Sequence, residues 1–154
     1  MKKFIISISL SSILLLSNCN AGSADKAISN KPSENETVVT LTNETFKQKI
    51  FNYETNKEWK FEGNLPVIID FYATWCAPCR QLSPRVEEIA KEYAGKIAVY
   101  KVDVDLERQL AQSMGVSSLP TLLFIPVKGK PQTAMGALLK EDLVKAINEV
   151  LLVK

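Results

Sequence analysis

The chain contains no histidine, and this absence removes several classes of catalytic and metal site. A papain-like Cys–His hydrolase is excluded, as is an oxygen-activating iron site built from histidines and a carboxylate. Cysteine is also scarce, because only Cys19, Cys76 and Cys79 occur. A closed zinc site takes four cysteine or histidine ligands, so this chain cannot complete one.

The chain also lacks a strong excess of either charge. It carries 19 basic and 17 acidic residues, and without Lys2 and Lys3 the two numbers are equal. No basic cluster or arginine-rich stripe is present to neutralise phosphates, and Arg80 has the character of an ordinary helix-surface residue. The sequence therefore gives no indication of nucleic-acid binding.

Two cysteines spaced three positions apart, Cys76 and Cys79, follow the apolar run Val67–Tyr72, where a strand should give way to a helix. Unpaired N–H groups and the positive end of the macrodipole at a helix start stabilise a thiolate. Cys76 is therefore the candidate nucleophile. Cys79 lies about one helical turn further on, close enough to form a disulfide with Cys76 or to attack a mixed disulfide there.

A structural disulfide and half of a zinc site are the alternatives for this pair. A bridge that spans only two residues would constrain little chain entropy, because disulfide stabilisation grows with loop length. The zinc alternative lacks a second Cys-x-x-Cys pair and any histidine. The pair is therefore interpreted as redox-active.

The N-terminus has the layout of a secretory signal, predicted over residues 1–18. Lys2 and Lys3 precede Phe4–Leu16, an apolar stretch that is short and serine-rich for a membrane span. An uncleaved membrane anchor is the alternative. With 154 residues, the chain has room for one domain after this segment, predicted at 38–154.

The signal ends in Leu16-Ser17-Asn18-Cys19, which resembles a bacterial lipobox and predicts lipidation at Cys19. Asn18 departs from the small residue usual before the cysteine, so cleavage near Ala21–Ala24 is the competing prediction. Lipid attachment would also remove a free thiol from an oxidising compartment. The following residues to 37 are polar and are predicted to be a flexible tether.

The hydrophobic pattern of the domain predicts the order βαβαβαββα, and hence a mixed sheet covered on both sides. Residues 53–65 are predicted to form a loop or an extension of the preceding helix, and Trp59 within them is predicted to serve local packing rather than binding. The predicted strands lie at 38–41, 66–72, 97–104, 121–125 and 132–135. The predicted helices begin after Thr42 or Asn43 and at the cysteine motif, a third spans Leu106–Met114, and the last carries Leu143, Ile147, Val150 and Leu151 on one face.

Several motifs together resemble the thioredoxin family over residues 38–153. Trp75-Cys76-Ala77-Pro78-Cys79 is similar to the family active site, with Ala77 where glycine is usual. Asp70 matches the family's buried acid, Lys101 a lysine near that acid, and Pro84 a helix-kinking proline. Leu119-Pro120-Thr121 resembles the loop with a cis-proline, and Gly136 the glycine beside it. The resemblance implies an α/β thioredoxin fold, a central mixed β-sheet flanked by helices on both faces.

The resemblance also implies roles for these residues. Asp70, in an apolar run that should raise its pKa, would deprotonate Cys79, and Lys101 would tune Asp70. Asp70 as a hydrogen-bonded core acid, and Lys101 pointing to solvent from an edge strand, are the alternatives. Trp75 could belong to the core, but beside an exposed thiol it is expected to contact the substrate. The full set of expected substrate contacts is Trp75, Ala77, Pro78, Leu119, Pro120 and Gly136.

The sequence thus predicts an exported, lipid-anchored thiol–disulfide oxidoreductase that needs no cofactor and reduces protein disulfides in the periplasm or cell envelope. An electron donor in the membrane is the expected partner, since cytosolic nicotinamide-dependent recycling is out of reach. Two alternatives stay open: a disulfide oxidase or isomerase of exported proteins, and a non-enzymatic metal-binding or scaffold module. A secreted soluble form is the alternative location.

Overall fold

A computed structural model describes residues 37–151 of the protein and confirms the predicted order of elements. The strands are β1 (Val39–Thr40), β2 (Val67–Tyr72), β3 (Ala98–Asp103), β4 (Thr121–Ile125) and β5 (Gln132–Met135). The helices are α1 (Asn43–Lys49), α2 (Ala77–Glu92), α3 (Arg108–Ser113) and α4 (Lys140–Ala146), which continues as the π-helical turn Ile147–Leu151.

The five strands form one mixed sheet in the order β1-β3-β2-β4-β5. Strands β1, β3 and β2 are parallel, while β4 runs antiparallel to β2 and β5 antiparallel to β4. The register places Asp70 of β2 beside Lys101 of β3 and Leu122 of β4. This is the mixed sheet that the sequence predicted.

Side chains of β2 alternate between two apolar layers, as the period of a strand requires. Ile68 packs with the buried side chains of α2 and α4, whereas Ile69 and Phe71 pack with those of α1 and α3. Because Asp70 lies two residues after Ile68, it belongs to the face covered by α2. A central strand buried on both faces is what the continuous apolar run predicted.

Helix α2 begins directly at the cysteine pair. Cys76 is its N-cap residue, in extended conformation, and Ala77 and Pro78 form its first turn. Proline is tolerated at this position because a backbone N–H there has no partner within the helix. Pro84 lies inside the helix, as the sequence indicated.

The loop between α1 and β2 contains no helix or strand at 53–65. Trp59 packs on Phe51 with ring centroids 4.7 Å apart, which confirms its assignment to local packing. The predicted start of α3 at Leu106 is wrong: the helix begins at Arg108, and Leu106 lies exposed in the turn before it.

The predicted signal peptide at 1–18, the lipidation site Cys19 and the predicted tether up to residue 36 lie outside the described residues. Between residues 37 and 151, no helix has the length and apolar character needed to cross a membrane.

Candidate active site

The two cysteines form a disulfide at the amino end of α2, with their Cα atoms 5.3 Å apart. This confirms the predicted pairing. The backbone N–H of Cys79 donates to Cys76 Sγ at 3.2 Å, and the N–H of Cys76 donates to the Ala73 carbonyl at 3.1 Å. The sulfur of Cys76 therefore receives an N–H from the first turn of α2, where the helix dipole favours negative charge.

The prediction that Trp75 lies beside an exposed thiol is wrong for the disulfide form. Cys76 is 4% exposed and Cys79 is 2% exposed, because Ala73, Val104 and Leu119 pack around them. Trp75 itself is 68% exposed, so it is not part of the core. Cys76 nevertheless contributes to the lining of a groove beside these side chains.

An apolar groove of about 410 Å³ runs alongside Cys76. Its lining includes Trp75, Ala77, Pro78 and Leu119, four residues that the sequence predicted as substrate contacts. Sequence reasoning missed the other lining residues, because they come from just after β3, from α3 and from the loop after α3, which are distant from the cysteines in sequence. The missed residues are Val104, Ala111, Val116, Ser117 and Ser118.

The loop before β4 contains the predicted cis peptide, between Leu119 and Pro120. Gly136 donates its N–H to the Pro120 carbonyl at 2.9 Å and has a φ of +94°, a conformation that favours glycine. The structure therefore joins these two predicted residues to each other. Leu119 lines the groove and packs against the cysteine pair, whereas Pro120 and Gly136 are not among the residues that line it.

Two carboxylates that the sequence analysis did not single out hold Trp75 in place. The indole Nε1–H donates to Asp105 Oδ2 at 2.7 Å, and the backbone N–H of Asp105 donates to Asp103 Oδ1 at 2.9 Å. Asp103 is the last residue of β3, paired with Tyr72 at the end of β2, and Asp105 lies two residues further on. Their spacing after a parallel strand was the signal that could have found them.

Asp70 is buried on the face of β2 that α2 covers, with 3% of its surface exposed. Within residues 37–151, its Oδ1 has no hydrogen-bond partner, so the alternative of a hydrogen-bonded core acid fails for this oxygen. Burial raises the pKa of Asp70 from 3.8 to about 7, because the charged form loses its hydration. The predicted direction of the shift is confirmed.

A small cavity of about 130 Å³ joins Asp70 to Lys101 and to helix α2. The alternative that Lys101 points to solvent from an edge strand is wrong, because β3 is flanked by β1 and β2. Ser83 lines the same cavity and donates its hydroxyl to the Cys79 carbonyl at 3.1 Å. Ser83, which the sequence analysis missed, is thus the residue that connects the Asp70 cavity to the second cysteine.

A disulfide at the start of a helix, beside an apolar groove and a cis-proline loop, defines a thiol–disulfide oxidoreductase site. Among residues 37–151 there is no group of three or more histidine, cysteine, aspartate or glutamate side chains placed to hold a metal ion.

Comparison with known proteins agrees with this class. The model of the family named Thioredoxin matches residues 37–149. A thioredoxin of Borreliella burgdorferi is 52% identical over 104 residues, which is 68% of this chain and 88% of the relative. A thioredoxin of Pyropia yezoensis is 38% identical over 112 residues, which is 73% of this chain and 95% of that protein.

A solved structure shows the same likeness. The thioredoxin of Malassezia sympodialis superimposes with a TM-score of 0.60 at 36% identity, over 73% of this chain and 90% of that one. The chain belongs to the thioredoxin family, and it is a thiol–disulfide oxidoreductase.

Replacing Asp70 by asparagine should stabilise the disulfide form at pH 8 and have little effect at pH 4. In the folded protein the carboxyl keeps its proton up to about pH 7, whereas the unfolded chain loses it near 3.8. Stability is therefore lost as the pH rises between these values, by up to about 4 kcal/mol for a shift of this size. Urea denaturation at both pH values measures the difference.

Glu87→Gln is the matched control for this experiment, because it removes an exposed carboxylate that lines the same cavity. It should change the free energy of unfolding little at either pH. A stability gain for Asp70→Asn that is equal at pH 4 and pH 8 would contradict the raised pKa of Asp70.

Proposed function

We propose that this protein is a lipid-anchored thioredoxin that reduces disulfides of exported proteins in the cell envelope. The observation that carries the chemical part of this proposal is the Cys76–Cys79 disulfide at the start of α2, beside an apolar groove that leaves Cys76 approachable from one side. The location rests on the N-terminal sequence.

The reaction begins with the dithiol form. The Cys76 thiolate attacks one sulfur of the substrate disulfide, which forms a mixed disulfide and releases the other sulfur as a thiolate. Cys79, once deprotonated, then attacks the Cys76 sulfur, so that the second substrate sulfur leaves and the Cys76–Cys79 bridge closes. The substrate gains two electrons from the Cys76–Cys79 dithiol. An external dithiol must then supply two electrons to the protein before the next cycle.

Asp70 is the base in this proposal, and its proton acceptor is the unpaired Oδ1 in the cavity beside α2. A pKa of about 7 means that both protonation states of Asp70 are populated near neutral pH, which suits a group that accepts and releases a proton in each cycle. Lys101 lines the same cavity and would favour the charged form of Asp70 after the proton has left.

The substrate contacts follow from the groove. Trp75, Ala77, Pro78 and Leu119 line the groove together with Cys76, and the residue after Leu119, Pro120, accepts a hydrogen bond from Gly136. An apolar groove without a charged pocket favours contact with substrate backbone and apolar side chains, so we expect broad preference among protein disulfides.

The two cysteines should respond differently to substitution by serine. Cys76→Ser should abolish disulfide reduction, because the nucleophile is gone. Cys79→Ser should accumulate covalent complexes with substrate proteins, since the mixed disulfide can no longer be resolved. Non-reducing electrophoresis with and without dithiothreitol checks this, and trapping by Cys76→Ser but not by Cys79→Ser would reverse the assignment.

The direction of electron flow is tested by the reduction potential of the Cys76–Cys79 pair. A reductase should have a potential near that of thioredoxins, about −270 mV, rather than near the −120 mV or so of strongly oxidising disulfide-introducing proteins. Equilibration with defined glutathione ratios measures it. A value at the oxidising end would favour the disulfide oxidase or isomerase instead, with the same site residues.

An envelope reductase needs electrons from outside its compartment, and we propose a membrane protein with its own exposed dithiol as the donor. Lipidation at Cys19 would hold the domain close to that donor through the predicted tether 19–37. Two or three acyl chains, at about 0.8 kcal/mol per buried methylene, provide stable anchoring.

The anchor predicts that the protein sediments with membranes and that Cys19→Ala releases it or blocks its processing. Mass spectrometry of the mature N-terminus identifies the modification directly. An unmodified terminus that begins between Ala21 and Asp25 would show a soluble periplasmic or secreted protein. That result would remove the lipid anchor and leave the thiol chemistry unaffected.

A further inference from the structure

We propose that Arg85 is a positioning residue that holds residues 136–139 as part of the protein-substrate site, and so sets affinity for protein disulfides. This inference rests on the proposed function, because it concerns how the same site receives a polypeptide. Arg85 is half-buried on α2, and its Nη1 donates to the carbonyls of Ala137 at 3.3 Å and of Leu138 at 2.9 Å.

These contacts connect the two parts of the active site. Helix α2 carries Cys76 and Cys79 at its amino end and Arg85 near its middle. The segment 136–139 begins at Gly136, whose N–H donates to the Pro120 carbonyl in the cis-proline loop. Arg85 therefore fixes the position of α2, which carries the cysteines, relative to the 136–139 segment and the cis-proline loop bonded to it.

Within residues 136–139 the backbone forms one short-range hydrogen bond, from the Leu138 N–H to the Gly136 carbonyl at 3.0 Å. Its first residue, Gly136, has a positive φ, and Leu139 caps α4 without any side-chain hydrogen bond at the helix start. The guanidinium supplies charged donors to two successive carbonyls in this irregular stretch. Hydrogen bonds from a charged donor are stronger than neutral ones, so they restrict the segment effectively.

Exposed apolar side chains lie at the two ends of the segment that Arg85 holds: one just before it and one at its last residue. Met135 is 64% exposed at the end of β5, opposite Thr121 next to the cis-proline, and Leu139 is 56% exposed at the start of α4. These two side chains place apolar surface at the ends of the segment that is hydrogen-bonded to the cis-proline loop. A polypeptide bound at Cys76 would meet this surface, whereas a small disulfide would reach Cys76 without it.

The test compares a protein disulfide with a small one in the full chain, with dithiothreitol as the reductant. For Arg85→Gln we expect KM for insulin disulfides to rise roughly five- to thirtyfold, with kcat nearly unchanged, because the lost contacts act on binding rather than on the chemical step. Turnover of hydroxyethyl disulfide and the reduction potential of the cysteine pair should stay at wild-type values.

Lys140→Ala is the matched control. Lys140 also connects α4 to α2, through Glu88 and Glu92, but it donates to no carbonyl of the 136–139 segment. A general loosening of α4 would affect both variants alike, whereas the proposed role of Arg85 predicts an unchanged KM for Lys140→Ala.

Arg85→Lys keeps the charge with a different donor geometry, and it should restore part of the insulin affinity. It also carries the test if Arg85→Gln fails to fold. An unchanged KM for insulin in the folded variants, or an equal loss with the small disulfide, would overturn the role of Arg85. Failure of the wild-type chain to reduce insulin would instead count against the proposed function itself.

Discussion

The burial of β2 between two apolar layers is the constraint on which the rest of the structure depends. Ile68 packs under α2 and α4, and Ile69 and Phe71 pack under α1 and α3, so the strand cannot shift by one residue without exposing them. Because the strand is fixed, the position of Cys76 is fixed too: it lies just beyond the carboxyl end of β2, at the start of α2. It also forces Asp70 into the layer beneath the same helix, where its charge is costly.

The active site is assembled from both sides of this strand. On one side, α2 holds the disulfide and contributes Ala77 and Pro78 to the lining of the groove. On the other, the loops before β4 and after β5 contribute Leu119, the cis-proline and Gly136, connected by the hydrogen bond from Gly136 to Pro120. Arg85 joins α2 to the second loop through its hydrogen bonds to the Ala137 and Leu138 carbonyls.

The proton chemistry depends on the same packing. Asp70 has a pKa near neutrality because α2 covers it, and the cavity it shares with Lys101 and Ser83 connects it to the backbone of Cys79. The same burial costs the folded protein stability as the pH rises from about 4 towards 7 and gives Asp70 the pKa that the proposed base would need.

By itself, the sequence determined the order of the elements, the dithiol pair and the burial of Asp70, because hydrophobic periodicity and the spacing of two cysteines are local properties of the chain. The tertiary structure alone decided that Asp105 holds Trp75, that Val104 and Val116 complete the groove, and that Arg85 holds the Gly136 loop. It also showed that packing by Leu119 shields Cys76 in the disulfide form. The hydrogen bonds among these contacts join residues 30 to 53 positions apart, and such pairs become neighbours only when the sheet and its two helical layers have packed.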